Sequence, residues 1–177
     1  MKVDYQTTAA EIAEHCDGRL IAGSEIQVIE SISSDSRDLG ERSLFVPLRG
    51  EKFDGHNYIK GLVEAKSIVA FLTENKGDSN LVKGTDIVVI LCESTLAALG
   101  RIAQYHRNSI NPEVIVITGT NGKTTTKEFI AAILNEKYNL LKSEKNFNNE
   151  IGVPFTLLGL KDSHTMAVIE MGMNHLG

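Results

Sequence analysis

Apolar positions along the chain alternate between two periods, and the switches between them mark out its elements. Ile12, Ala13 and Cys16 fall on one helical face, Thr8 and Glu11 stand at capping-box spacing, and Gly18 ends the run, so a short helix is expected near the N-terminus. Brief β-prone runs follow at 19–22, 28–32 and 44–48, separated by Gly23, by the polar stretch 33–37 and by Gly40. A second helix is expected over 56–65 with Ile59, Leu62 and Val63 inward, then strands over 68–72 and 87–91. Ser94 reads as the N-cap of a third helix carrying Leu96, Leu99, Ile102 and Ala103 on its apolar side, and Asn111-Pro112 ends it. The remaining pattern is strand 114–118, helix 123–135, strand 138–141, a polar loop, a helix around 154–158 and strand 166–171. Strands that alternate with helices imply a parallel, doubly wound sheet. The domain boundary is expected near residue 92, after a compact α+β unit.

The most informative stretch runs from Val114 to Thr126. Four β-branched residues suit a strand covered on both faces, Gly119 and Gly122 permit positive φ and close backbone approach, and a helix begins at Lys123. Turn amides and the positive end of that helix would face a polyphosphate. Lys123 is placed to reach the β and γ phosphates, and the Thr124 hydroxyl sits where such loops hold magnesium. The spacing is shorter than G-x-x-x-x-G-K-[ST], which would need a glycine where Ile117 stands. The bland alternative is a glycine-rich connector with a stray lysine.

Composition narrows the setting. A chain of 177 residues, 42% hydrophobic, can bury one large or two small cores, and a net charge of −5 argues against a nucleic-acid partner. The basic residues Lys123, Lys127, Lys142 and Lys145 cluster near the loop instead, as a phosphorylated small molecule requires. Cys16 and Cys92 form no C-x-x-C pair and read as buried free thiols. The N-terminus lacks an apolar signal core and the apolar runs are too short to cross a bilayer, so a cytoplasmic protein without membrane insertion is expected. Only about three parallel strands are expected after residue 112, fewer than an open sheet usually has, so the sequence reads as the front part of a larger enzyme.

Three further constellations carry possible chemistry. Glu170 ends an apolar strand on the edge where the phosphate loop lies, which fits a magnesium ligand or a solvated strand-end carboxylate. Asn146, Asn148 and Asn149 precede a helix start and fit either a diphosphate or sugar contact or a plain turn. Ser34 to Arg37 and the loop Arg49 to His56 flank one short strand, and together suit a uridine or phosphate group, or are surface connections. His15, His106 and His164 have no suitably spaced ligand partners.

These segments resemble one family. Thr118-Gly-Thr-Asn-Gly-Lys-Thr-Thr-Thr126, Asn146-Phe-Asn-Asn-Glu-Ile-Gly-Val-Pro154 and Glu170-Met-Gly-Met-Asn-His-Leu-Gly177, with Ser34-Asp-Ser-Arg37, Leu44-Phe-Val-Pro-Leu-Arg-Gly50 and Phe53-Asp-Gly-His56 upstream, closely resemble the Mur ligases, whose own form of the loop is the shorter one. The resemblance implies an α/β fold class: a small α+β UDP-binding domain over 1–92, then part of a doubly wound parallel-sheet P-loop ATP-binding domain over 93–177. It implies an ATP-dependent, ADP-producing amide-bond ligase of peptidoglycan synthesis. The second and third segments look like the family member that joins D-alanyl-D-alanine to UDP-N-acetylmuramoyl-tripeptide through an acyl phosphate. The alternatives are a diamino-acid-adding member and a noncatalytic nucleotide- or UDP-sugar-binding module.

The implied cofactors are ATP and Mg2+. Gly119, Thr120, Asn121, Gly122, Lys123, Thr124 and Thr125 would bind ATP, with Lys123 catalytic, and Thr124 and Glu170 would hold the metal. Asn148, Asn149 and His175 would line the precursor side. Ser36 and Arg37, with Arg49, Gly50, Asp54, Gly55 and His56, would hold the UDP end. The family's remaining parts would lie beyond Gly177, so this chain alone is expected to be incomplete for catalysis, and the full-length protein is expected to be a monomer.

Overall fold

The computed structural model describes residues 1–144 and 147–172. The chain divides into two compact units, Met1–Ile102 and Ala103–Gly177. In the first, β1 (Lys2–Thr8), α1 (Ala9–His15), β2 (Arg19–Ala22), β3 (Val28–Ser33), β4 (Ser43–Phe45), α2 (Ile59–Glu64), β5 (Ala70–Thr73) and β6 (Val88–Leu91) follow in order. Their strands form one sheet in the order β1-β3-β4-β5-β6-β2. The four central strands run parallel, and β1 and β2 close the edges antiparallel. Every residue of β4 and β5 is buried, which is why these segments read as continuous apolar runs rather than alternating ones.

The capping box at Thr8 and Glu11 forms as its spacing demands, with each partner bonding the other's backbone. The helix expected over 56–65 begins instead as a 3-10 turn, Gly55–Tyr58, capped by the Asp54 side chain, and becomes α-helical only at Ile59. Ile59, Leu62 and Val63 then pack with Phe45, Ile68 and Phe71 in the core of the unit. The strand β1 has no counterpart among the expected elements. Its residues alternate between exposed and half-buried, and its backbone is satisfied by pairing with β3.

α3 (Thr95–Ile110) carries the division between the units within it, ten residues beyond the boundary expected from sequence near 92. The first half of α3 is tied to the first unit: Thr95 donates to Glu74 from both its backbone N–H and its hydroxyl, and Arg101 donates to the Cys16 carbonyl. Further along, His106 Nε2 lies 2.9 Å from the Leu160 carbonyl, within the second unit.

The second unit continues with β7 (Glu113–Ile117), α4 (Lys123–Leu134), β8 (Leu140–Lys142), α5 (Gly152–Leu158) and β9 (Met166–Glu170). The three strands are parallel in the order β7-β9-β8, as the alternation of strands and helices implied. One expectation is corrected: β7 is not covered on both faces. The central position belongs to β9, all five of whose residues are buried, while β7 lies at the edge and leaves Val116 52% exposed. Cys16 and Cys92 are buried free thiols, and burial pushes them up to about 11 and about 12. No helix among the described residues is long and apolar enough to cross a membrane.

Candidate functional site

The loop from β7 to α4 turns on its two glycines. Gly119 has φ +141° and Gly122 φ +77°, values that side-chain-bearing residues rarely adopt. A Cβ at Gly122 would meet nothing within 4 Å, so conformation and not crowding demands glycine there. Gly122 is the N-cap of α4 and offers no capping side chain, and the first turn holds no acidic residue. The leading N–H groups of a twelve-residue helix are thus left facing the loop without a side-chain partner, which is the arrangement that attracts an anion. Thr120, Asn121, Thr124 and Thr125 are all exposed around this turn. Lys123 Nζ donates to the Gly119 carbonyl at 2.7 Å, so the ammonium lies folded over the turn itself.

Thr124, Glu170 and Asn148 come together. The Thr124 hydroxyl donates to Glu170 Oε2 at 2.9 Å, and Asn148 Nδ2 donates to Oε1 at 2.9 Å. Glu170 is 2% exposed, which removes the reading of a solvated strand-end carboxylate. The strand ends hold one another: Met171 N–H donates to the Ile117 carbonyl and Gly172 N–H to the Asn148 carbonyl. Asn149 does something different from its neighbour. Its Oδ1 accepts from Ile151 and Gly152 N–H at the start of α5, so it shapes the turn. Asn146 and His175 lie outside the described residues.

Two residues of this cluster were not singled out from sequence. Lys127, grouped there only with the basic residues near the loop, is fully buried, with Nζ 2.7 Å from the Ser143 carbonyl and 3.9 Å from Glu170 Oε2. Ser143, also buried, accepts the Glu170 N–H through Oγ. A signal for Lys127 existed: it stands three positions after Thr124 and four before the buried Ala131, on one face of α4.

The donor set fits a hard divalent cation. Thr124 Oγ1 and Glu170 Oε2 are oxygens 2.9 Å apart beside the turn, and no cluster of three or more His, Cys, Asp or Glu side chains occurs among the described residues. Two protein oxygens next to a phosphate-binding turn suit magnesium, which keeps waters and takes phosphate oxygens for the rest of its shell.

In the first unit, Asp35, Ser36, Arg37, Phe53 and Tyr58 line a cavity of about 330 Å³. Arg37 is forked onto Asp35, with Nε and Nη2 each 2.9 Å from a carboxylate oxygen, and this bidentate bond holds the Asp35 carboxyl well below the usual range. The guanidinium is nonetheless 87% exposed at its side chain, open to a ligand. Phe53, within the loop expected to hold the UDP end, and Tyr58, beyond it, are half-exposed aromatics. The other expected residues form a separate network. Arg49 bonds Asp54 at 3.1 Å and Glu74 at 2.6 Å, and Asp54 accepts from His56 N–H and lies 2.6 Å from His56 Nδ1. The His56 bonds, with Arg49 adding to them, bring the Asp54 carboxyl down to about 2. Gly50 and Gly55 are closely approached: a Cβ on Gly50 would strike the Phe53 ring at 2.5 Å, and one on Gly55 the Leu48 backbone N at 2.7 Å.

Known proteins resemble this chain in both of its units. Residues 28–107 match the Mur ligase family, catalytic domain, and residues 117–177 match the Mur ligase middle domain. The chain is 39% identical over 171 residues to the UDP-N-acetylmuramoyl-tripeptide--D-alanyl-D-alanine ligase of Bacillus subtilis, and 35% identical over 170 residues to that of Escherichia coli. Each match covers 96% of this chain and 36% of the relative. Among solved structures, MurF from Acinetobacter baumannii superposes with a TM-score of 0.87 at 33% identity, covering 99% of this chain and 38% of that one. The MurF ligase of Thermotoga maritima, in complex with ADP, gives a TM-score of 0.71 at 29% identity over 82% of this chain and 33% of its own. The chain therefore spans about a third of the length of the relatives it matches.

Proposed function

Because the chain belongs to the Mur ligase family, we propose that it carries the nucleotide-binding and precursor-binding parts of an ATP-dependent ligase that adds D-alanyl-D-alanine to UDP-N-acetylmuramoyl-tripeptide. The observation that carries the reading is the convergence of Lys123, the uncapped start of α4 and the Thr124–Glu170–Asn148 cluster on one strand edge. The choice of dipeptide over a diamino acid is supported by the names of the relatives. ATP as the phosphoryl donor also supports a cytoplasmic setting.

In such a reaction a carboxylate oxygen of the tripeptide attacks the γ phosphorus of ATP, and the bond from that phosphorus to ADP breaks. The amine of D-alanyl-D-alanine then attacks the acyl phosphate carbonyl, loses a proton, and phosphate leaves. A free carboxylate does not react with an amine in water, so the protein's task is to hold charge and geometry during phosphoryl transfer. Lys123 and the amides of 119–124 supply positive charge to the phosphates. Magnesium, when bound, would neutralise phosphate charge, with Thr124 Oγ1 and Glu170 as its protein oxygens. Asn148 holds Glu170 from the other side. In the first unit, the Arg37 fork and the faces of Phe53 and Tyr58 suit the diphosphate and the ring of a uridine nucleotide.

Calorimetric titration of the chain with ADP in magnesium tests the cradle. We expect saturable binding that Lys123→Ala weakens by at least ~10-fold without lowering the melting temperature, because one charge on the phosphates is lost from an exposed turn. Equal affinity in the variant would remove Lys123 from the site.

A further inference from the structure

Lys127 places a buried amino group against the carboxylate that faces the cradle. Its Nζ donates to the Ser143 carbonyl at 2.7 Å and lies 3.3 Å from Glu128 Oε1 and 3.9 Å from Glu170 Oε2. That same Oε2 accepts the Thr124 hydroxyl, and Oε1 accepts from Asn148, so both oxygens of Glu170 are engaged and its charge is balanced before any ligand arrives. Glu128, half-exposed, is itself paired with Lys142. A hydrated divalent ion offered only this pair would give up waters to reach an oxygen already beside an ammonium, and like charges at such a distance repel. A nucleotide changes the balance, since its phosphates bring several negative charges and their own oxygens to the same place.

We propose that Lys127 makes metal entry conditional on nucleotide. It is the resident counter-charge of Glu170 that keeps the site closed to a free divalent cation and open to a metal–polyphosphate complex. This rests on the reading of residues 119–124 as a phosphate cradle and deepens it. Within α4 the device needs only what the helix supplies, a metal-side hydroxyl at Thr124 and a cation three residues later on the same face. A lysine that served only to satisfy the Ser143 carbonyl would matter for folding and leave metal preference unchanged.

The test uses Mn2+ as the probe, with free ion followed by electron paramagnetic resonance. In the presence of ADP the wild-type chain is expected to bind Mn2+; failure of ADP to bind at all overturns the cradle reading itself. Without nucleotide the wild type is expected to show no saturable Mn2+ binding below millimolar concentration. If the wild type binds Mn2+ as tightly without ADP as with it, the proposal is wrong while the cradle stands. Lys127→Met and Lys127→Gln, the latter keeping a donor for Ser143, are expected to bind Mn2+ without nucleotide at least ~10-fold tighter than the wild type, and adding Glu170→Gln to either should cancel the gain. Folded variants that melt lower yet gain no metal binding would make Lys127 purely structural. If neither variant folds, equal Mn2+ affinity of the wild type with and without ADP still overturns the proposal.

Discussion

Two charges withdrawn from water need more than each other. Lys127 is 0% exposed and Glu170 2%, yet they stand 3.9 Å apart, too far for a hydrogen bond, and other groups meet their remaining needs: the Thr124 hydroxyl and the Asn148 amide for the carboxylate, the Ser143 carbonyl and the half-exposed Glu128 carboxylate for the ammonium. Asp54 shows the opposite case, a carboxylate 37% exposed whose bonds to His56 and Arg49 lower it to about 2. Its folded value lies below the ordinary carboxylate value of about 4, so it contributes stability above that ordinary value and loses it as pH falls through about 2. Asp54→Asn should therefore melt below the wild type at neutral pH, with the gap narrowing as pH falls from about 4 to about 2. Asp35 is lowered too but is present in both proteins and cancels in the difference, whereas Glu74 shares Arg49 with Asp54 and adds a coupled part to the gap. Thermal melts across that range check this; a gap independent of pH would mean that the charge of Asp54 does not matter.

At the scale of elements, residues 46–56 show how a loop that reads as a binding motif is also a packed structure. Arg49 and Asp54 pair across the turn, Gly50 lies under the Phe53 ring, and Gly55 presses against the backbone of Leu48. Gly55→Ala would push a methyl into main-chain atoms that cannot rotate away. We expect a loss of about 1–3 kcal/mol, read as a melting temperature lower by several degrees. An unchanged melting curve would show that the loop relaxes freely. The same contrast explains what was legible in the sequence. The apolar runs of β5, β6 and β9, the capping box at Thr8 and the glycine turn before α4 depend on neighbours along the chain, and they were readable. β1 depends on a partner twenty or more residues away, with only Val3 and Tyr5 as apolar markers, and was not. The burial of Lys127 depends on Ser143 and Glu170, which belong to other segments, so its place in the cluster appears only when α4 is laid against β9.

For the whole molecule, we propose that the first unit is a domain with its own core, and that its working boundary follows α3 rather than preceding it. The expected boundary near 92 would cut the chain before Thr95, removing the two bonds from Thr95 to Glu74 and the bond from Arg101 to the Cys16 carbonyl. Glu74 would then keep Arg49 as a partner but lose the helix start that satisfies its other oxygen, and a carboxylate with 21% side-chain exposure loses stability when a partner goes. It would also remove Ala98, Leu99 and Ile102, all 0% exposed, and uncover whatever apolar surface they protect. A fragment of residues 1–110, which retains α3 whole, is therefore expected to unfold cooperatively and, if the proposed uridine site is right, to bind UDP in a way that Arg37→Ala weakens. A fragment of residues 1–92 is expected to melt at least ~5 °C lower or to associate, since a loss of even 1 kcal/mol shifts a domain of this size by about that much. Circular dichroism melts of the two fragments, with light scattering to detect association, decide between the boundaries: equal melting temperatures and equal solubility would place the end of the domain before α3.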